Sequence, residues 1–236
     1  MKIGFAGNGH LMNHAFAAAK IKGFDATKFV PCRSGDHPED LTQCDIVYIC
    51  PDRPSNIEPQ AMVDLVLPHL REDAVLVIHC QVEPGFTRKV KWPKERLYYH
   101  VETLKVSEEG IDRALNPERI ILGCATELDG YLTNANFIDF LDSFNCSIFT
   151  MSYESAELAK IAINLYLAGQ IDTTTTLIKV AESLGANWND IIPALQTDKR
   201  IGQHAYLKLG NGYGKDIQRD VDWLAEYQHQ NTGVLP

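Results

Sequence analysis

Short β-like apolar runs alternate with helical stretches over residues 2–151, and this rhythm constrains the fold more than any other feature. The runs are KIGFAG (2–7), ATKFVPC (26–32), DIVYIC (45–50), AVLVIHC (74–80), RLYYHV (96–101), RIILGC (119–124) and CSIFTM (146–151). Helical segments such as MNHAFAAAKIKG, EPQAMVDLVLPHL and YLTNANFIDFLDSF lie between them. Strands separated by helices predict a parallel sheet with right-handed crossovers, a doubly wound α/β fold of Rossmann type. From residue 153 the β signal ends. YESAELAKIAINLYLAGQIDTTTTLIKVAESLG predicts one long helix stopped by Gly185 as its C-cap, with the Thr173–Thr176 run marking a packing seam. Helices over WNDIIPALQTD and IQRDVDWLAEYQHQ follow, so residues 1–152 are expected to form an α/β domain and 153–236 a smaller all-helical one.

The first strand runs directly into Gly7-x-Gly9 and then into a helix. At such a junction backbone N–H groups and the positive helix end can hold a dinucleotide pyrophosphate. The same glycines would also serve a tight turn without a ligand, but their place after strand one favours the dinucleotide. Met12 stands where the fingerprint has its third glycine, so wider helix-to-strand packing is expected. The positions expected to line the cofactor are Gly7, Asn8, Gly9, His10, Leu11 and Met12, then Cys50 and Pro51 after the third strand, and Gln81 after the fourth. At the end of the second strand an acidic residue would bond a ribose 2′-hydroxyl. Here Arg33 and Ser34 follow instead, and a guanidinium pairs bidentately with phosphate, which tips NAD against NADP toward NADP. A solvated arginine is the other reading of Arg33.

On the long helix, Glu157, Lys160 and Asn164 fall at i, i+3 and i+7, one face amid Ala, Leu and Ile. An ammonium and an amide on that face need an explanation that packing does not supply, although a lysine can also snorkel to solvent.

Four segments, in order, resemble the UDP-glucose/GDP-mannose dehydrogenase family. VLVIHCQVEPGFTRKV is similar to its VVIxSTVPPGTT strand and turn, and HVETLKVSEEGIDRALNPERIILG to its NPEFLxEGxAxxDxxxPDRIVIG segment. SYESAELAKIAINLYLA resembles the SxxxAELxKxxxNxxLA helix, and DKRIGQHAYLKLGNGYGKDIQRDVDWL the RIGxxFLxPGxGFGGSCFPKDVxAL region. The resemblance implies a Rossmann-type domain, a long helix (153–184) that builds a homodimer, and a third nucleotide-sugar domain before which this chain stops. It makes Lys160, Asn164, Glu102 and Asp220 the catalytic residues, with Arg200 and Gly212 at the substrate. Arg200 matches an arginine that reaches the partner subunit's substrate, which implies an anionic small molecule. A lysine ammonium and an asparagine amide can stabilise an alkoxide as hydride leaves, and Glu102 or Asp220 could take the alcohol proton through a water.

One departure is chemical. The family's GFGGSCF supplies a thiolate for a second oxidation through a thiohemiacetal. GNGYGKDIQRD has no cysteine, and none of the six cysteines lies beyond residue 146. A single hydride transfer remains. Gln81 and Val101 also replace family threonine and proline. Asp216 is a second acidic candidate near Asp220, which the spacing of VDWL favours.

A net charge of −9 without a basic run argues against nucleic acid as partner. No signal-peptide pattern, membrane-length apolar stretch or metal-ligand spacing is present, so no membrane, no metal and a cytoplasmic location are expected, with reduced cysteines. The expected activity is an NAD(P)-dependent oxidoreductase acting on one hydroxyl or carbonyl of a sugar or sugar nucleotide. A β-hydroxyacid dehydrogenase and a catalytically inactive dinucleotide-binding module are the alternatives.

Overall fold

The computed structural model describes residues 1–31, 36–52, 57–101, 110–125, 134–208 and 212–231. Two compact units result, Met1–Lys160 and Ile161–Pro236, so the division falls inside the long helix rather than at residue 152.

The first unit is a seven-stranded sheet in the order β2-β1-β3-β4-β5-β6-β7. Its strands are β1 (Lys2–Gly7), β2 (Asp25–Phe29), β3 (Ile46–Cys50), β4 (Val75–Ile78), β5 (Leu97–His100), β6 (Arg119–Cys124) and β7 (Ser147–Ser152). Helices α1 (Gly9–Ile21), α2 (Pro59–Val66), α3 (Phe86–Lys89), α4 (Gly110–Leu115) and α5 (Ala135–Asp142) connect them. Strands β3 and β4 are buried along their whole length, which is why they read as unbroken apolar runs. The Rossmann-type expectation holds with one correction: β5 and β6 pair antiparallel, with Tyr99 opposite Gly123, while the other pairs are parallel. An antiparallel neighbour starts at the end where the previous strand finishes, so β6 needs no crossover back along the sheet. On one face a core of Phe5, Met12, Tyr48, Val77, Tyr98, Phe137 and Phe140 joins sheet and helices. Phe5 and Tyr48 stack at 5.3 Å between centroids, and such a pair adds about 0.5–1.5 kcal/mol beyond its buried area.

Helix α6 (Tyr153–Leu184) is 32 residues long and runs through both units. Within the first unit its opening turns sit against β5 and β6 because Gly123 has no side chain. A Cβ there would lie 3.0 Å from the Ala156 Cβ and 3.2 Å from the Tyr153 Cα. The buried Tyr153 hydroxyl then donates to the Leu97 carbonyl at 2.6 Å. Burial pushes its pKa upward, so it remains a donor.

The second unit holds the rest of α6 with α7 (Trp188–Thr197) and α8 (Lys215–Gln230). Gly185 ends α6 with φ +68°, the left-handed geometry of a C-cap. Of the four threonines only Thr174 is buried, and its hydroxyl donates to the Tyr206 carbonyl at 2.6 Å. The Trp188 indole donates to the Leu207 carbonyl at 2.8 Å, tying the same segment to α7. The seam is therefore one residue wide.

Replacing Tyr153 by Phe removes a buried hydrogen bond and leaves the Leu97 carbonyl short of a donor. The expected loss is about 1–3 kcal/mol in urea unfolding, with an unchanged denaturant slope.

Candidate functional site

In the order β2-β1-β3, the chain reverses direction across the sheet between β1 and β3. Ligand crevices of open α/β sheets form at such a switch point, beyond the carboxyl ends of the two strands. Those ends are Gly7 and Cys50, which are register partners. A Cβ on Gly7 would lie 2.1 Å from the Cys50 carbonyl oxygen, so only glycine permits this approach. Gly9 has φ +81° and turns the chain into α1.

Helix α1 begins without a cap of its own. The N-cap Asn8 makes no side-chain hydrogen bond to the helix, and its first turn holds no acidic residue. The cap comes instead from Asp52, after β3. Its Oδ2 accepts from the backbone N–H of His10 at 2.9 Å and of Leu11 at 3.3 Å. The His10 Nδ1 contacts the same oxygen, and the Asp52 N–H donates to the Asn8 side-chain oxygen at 3.4 Å. A Cβ on Gly9 would lie 2.6 Å from Asp52 Oδ2, so the glycine that could admit a phosphate here admits a carboxylate. Sequence reasoning missed Asp52. The signal in the sequence is a carboxylate directly after Cys50 and Pro51, at the carboxyl end of β3.

The structure thus brings together Gly7, Asn8, Gly9, His10, Cys50 and Pro51 at the ends of β1 and β3 with the Leu11 N–H, while the Leu11 and Cys50 side chains belong to the core. Met12 is 2% exposed and belongs to the core, so its side chain packs rather than lines the crevice. Gln81 is half-buried in the turn after β4. Arg33, Ser34 and Glu102 lie outside the described residues. The N–H groups of His10 and Leu11, the glycines and the helix end are the kind of donor set a dinucleotide pyrophosphate requires, and here both N–H groups donate to Asp52.

The polar row on α6 divides into two kinds of residue. Glu157 is fully buried and accepts from the N–H of Gly85 at 2.5 Å and of Thr87 at 2.8 Å, which fixes the start of α3. Its role there is structural. Burial raises its pKa, against the pull of those hydrogen bonds from Thr87 and Gly85. Lys160 and Asn164 follow at one-turn spacing on the same helix and are 8% and 6% exposed, so Lys160 does not snorkel to solvent.

In the second unit the Asn164 amide donates to Asp220 Oδ2 at 2.7 Å. Asp220, 1% exposed on α8, also accepts from the Arg219 guanidinium at 2.9 Å. This fixes the amide's orientation and occupies one of its N–H groups. Asp216, the competing acid, is exposed in the first turn of α8. Arg200 is exposed and forks onto Asp198, at 3.0 and 2.6 Å. Gly212 is exposed with φ +84°. Among the described residues no group of three or more His, Cys, Asp and Glu could hold a metal ion. Nor is any helix there long and apolar enough to cross a membrane.

The sheet order and glycine crevice define a Rossmann-type α/β unit, followed here by a helical one. Residues 154–234 match the model of the UDP-glucose/GDP-mannose dehydrogenase family, central domain. Those residues carry that central domain. The chain is 25% identical over 191 residues to UDP-glucose 6-dehydrogenase of Rickettsia typhi, covering 75% of this chain and 43% of that protein. It is 27% identical over 210 residues to UDP-glucose 6-dehydrogenase YwqF of Bacillus subtilis, covering 80% of this chain and 46% of that protein. It thus spans less than half the length of either. A solved UDP-glucose dehydrogenase from Pyrobaculum islandicum matches with a TM-score of 0.81 at 18% identity, over 97% of this chain and 64% of that one. At that identity the likeness is one of fold.

Glu157→Ala strands the buried Thr87 N–H and frees the half-buried one of Gly85, and a buried donor left unpaired costs about 1–3 kcal/mol. Chemical denaturation should read that loss, and amide exchange at Gly85 and Thr87 should accelerate. The raised folded pKa favours the protonated carboxyl. Its stabilising effect is therefore full below about pH 4.3, lost as pH rises through the raised value, and absent from the variant.

Proposed function

We propose that this chain acts in a dinucleotide-dependent single hydride transfer at a hydroxyl or carbonyl of a sugar or sugar nucleotide. The observation that carries the reading is the buried Asn164–Asp220 hydrogen bond, with Lys160 one turn before Asn164 on α6. An amide oriented by a buried carboxylate beside a buried lysine costs stability and needs a chemical reason. The family relationship supports a sugar-nucleotide substrate, and the crevice between Gly7 and Cys50 supports a dinucleotide. Bound there, a nicotinamide dinucleotide supplies the hydride acceptor or donor.

The chain's own residues supply the remainder. The Lys160 ammonium holds the charge that develops on the substrate oxygen, and the Asn164 amide holds the same oxygen. When an alcohol is oxidised, its hydroxyl proton passes through a water to Asp220 or Glu102. Reduction returns the proton to the oxygen. GNGYGKDIQRD lacks the thiol of the GFGGSCF segment it resembles, which supports a single hydride transfer over a second oxidation by the thiohemiacetal route. Arg33 with Ser34 supports NADP over NAD through a 2′-phosphate contact.

The unit of function is proposed to be a homodimer joined along α6, with Arg200 completing an anionic-substrate pocket. Tyr166, Leu177, Val180 and Leu184 are exposed and recur at i, i+11, i+14 and i+18, close to whole turns of the helix. An apolar stripe of this kind is what a paired long helix covers.

The reading is tested by titrating the protein with NADH and NADPH, followed by turnover assays with nucleotide sugars. Lys160→Ala should lower kcat by roughly 10²–10³-fold with unaltered cofactor affinity. Unchanged turnover would sink the mechanism. Sedimentation should show a dimer in the wild type and a monomer after Leu177→Glu with Val180→Glu.

A further inference from the structure

We propose that the Asp52 carboxylate competes with the dinucleotide pyrophosphate for the N-terminus of α1 and so sets the affinity of the cofactor site. The inference rests on the dinucleotide reading of that site. Its basis is geometric. The N–H groups of His10 and Leu11, which a pyrophosphate at this helix end would use, both donate to Asp52 Oδ2. The His10 imidazole grips the same oxygen and the Asn8 side chain accepts from the Asp52 backbone N–H, so three contacts hold the carboxylate and a fourth holds its backbone. The packing is close enough that a Cβ on Gly9 would meet Asp52 Cβ at 2.7 Å as well as Oδ2 at 2.6 Å.

Two consequences follow. A helix end offers about half an elementary charge of positive potential, and a carboxylate and a pyrophosphate cannot both be neutralised by it. The like charges repel at hydrogen-bond range, so the dinucleotide binds only to the fraction of molecules in which Asp52 has moved aside. The apparent affinity falls by that fraction. The second consequence concerns the protein alone. Asn8 does not cap α1 and its first turn contains no acid, so Asp52 also holds the helix start together. Asp52 is therefore a specificity-determining residue: it weakens every ligand that enters through a pyrophosphate and leaves ligands without one unaffected.

The test uses the full chain with Asp52→Asn and Asp52→Ser, the second guarding against a residual cap by the asparagine amide. NADH and ADP-ribose affinities are measured by calorimetry, with adenosine as the probe that lacks phosphate. Melting midpoints are read without added ligand. The inference expects both variants to bind NADH and ADP-ribose about tenfold tighter or more, with adenosine unchanged. It also expects lower melting midpoints in both variants. Equal affinities would overturn it, and weaker binding in the variants would show that Asp52 is a ligand of the dinucleotide rather than its rival. If neither the wild type nor the variants bind any dinucleotide while all unfold cooperatively, the dinucleotide reading and this inference fall together. The first two outcomes leave that reading standing.

Discussion

The approach of Gly7 to the Cys50 carbonyl is the constraint on which the first unit depends. The register that pairs these two residues places the ends of β1 and β3 side by side, and a single methyl at position 7 would occupy the carbonyl's space. With the glycine in place, the chain turns at Gly9 directly into α1 and Asp52 lies against the helix start. Crevice, helix end and Asp52 follow from that one contact.

A helix end that lacks its own cap has to recruit one, because its first N–H groups have no intrahelical partners. Here the cap arrives from a loop about forty residues away in sequence, and it is negatively charged. Cap and ligand site then coincide. The same electrostatics that stabilises the helix start makes the site selective about what may replace the cap.

Helix α6 carries a different arrangement. Tyr153 and Glu157 bond backbone groups of the first unit, through Leu97 and through Gly85 with Thr87. Asn164 and Thr174 bond groups of the second, through Asp220 and Tyr206. One continuous helix thus has buried polar side chains bonded within each unit. Lys160 sits between the two sets, at the point where the division into units falls. Buried polar groups on an apolar helix are retained only when partnered, which is why the row stands out in composition and why only part of it is candidate chemistry.

Periodicity and glycine placement alone determined the strand–helix order, the long helix with its Gly185 stop, and the junction at Gly7 and Gly9, because these depend on neighbours a few residues apart. The row Glu157, Lys160, Asn164 was legible for the same reason. Tertiary structure alone decided the antiparallel entry of β6, the burial of Met12, the use of Glu157 as a backbone acceptor and the pairing of Asp220 with Asn164. It also placed Asp52 on the start of α1. Each of these turns on a partner far away in the chain, and local pattern carries no record of which distant donor a buried carboxylate will find.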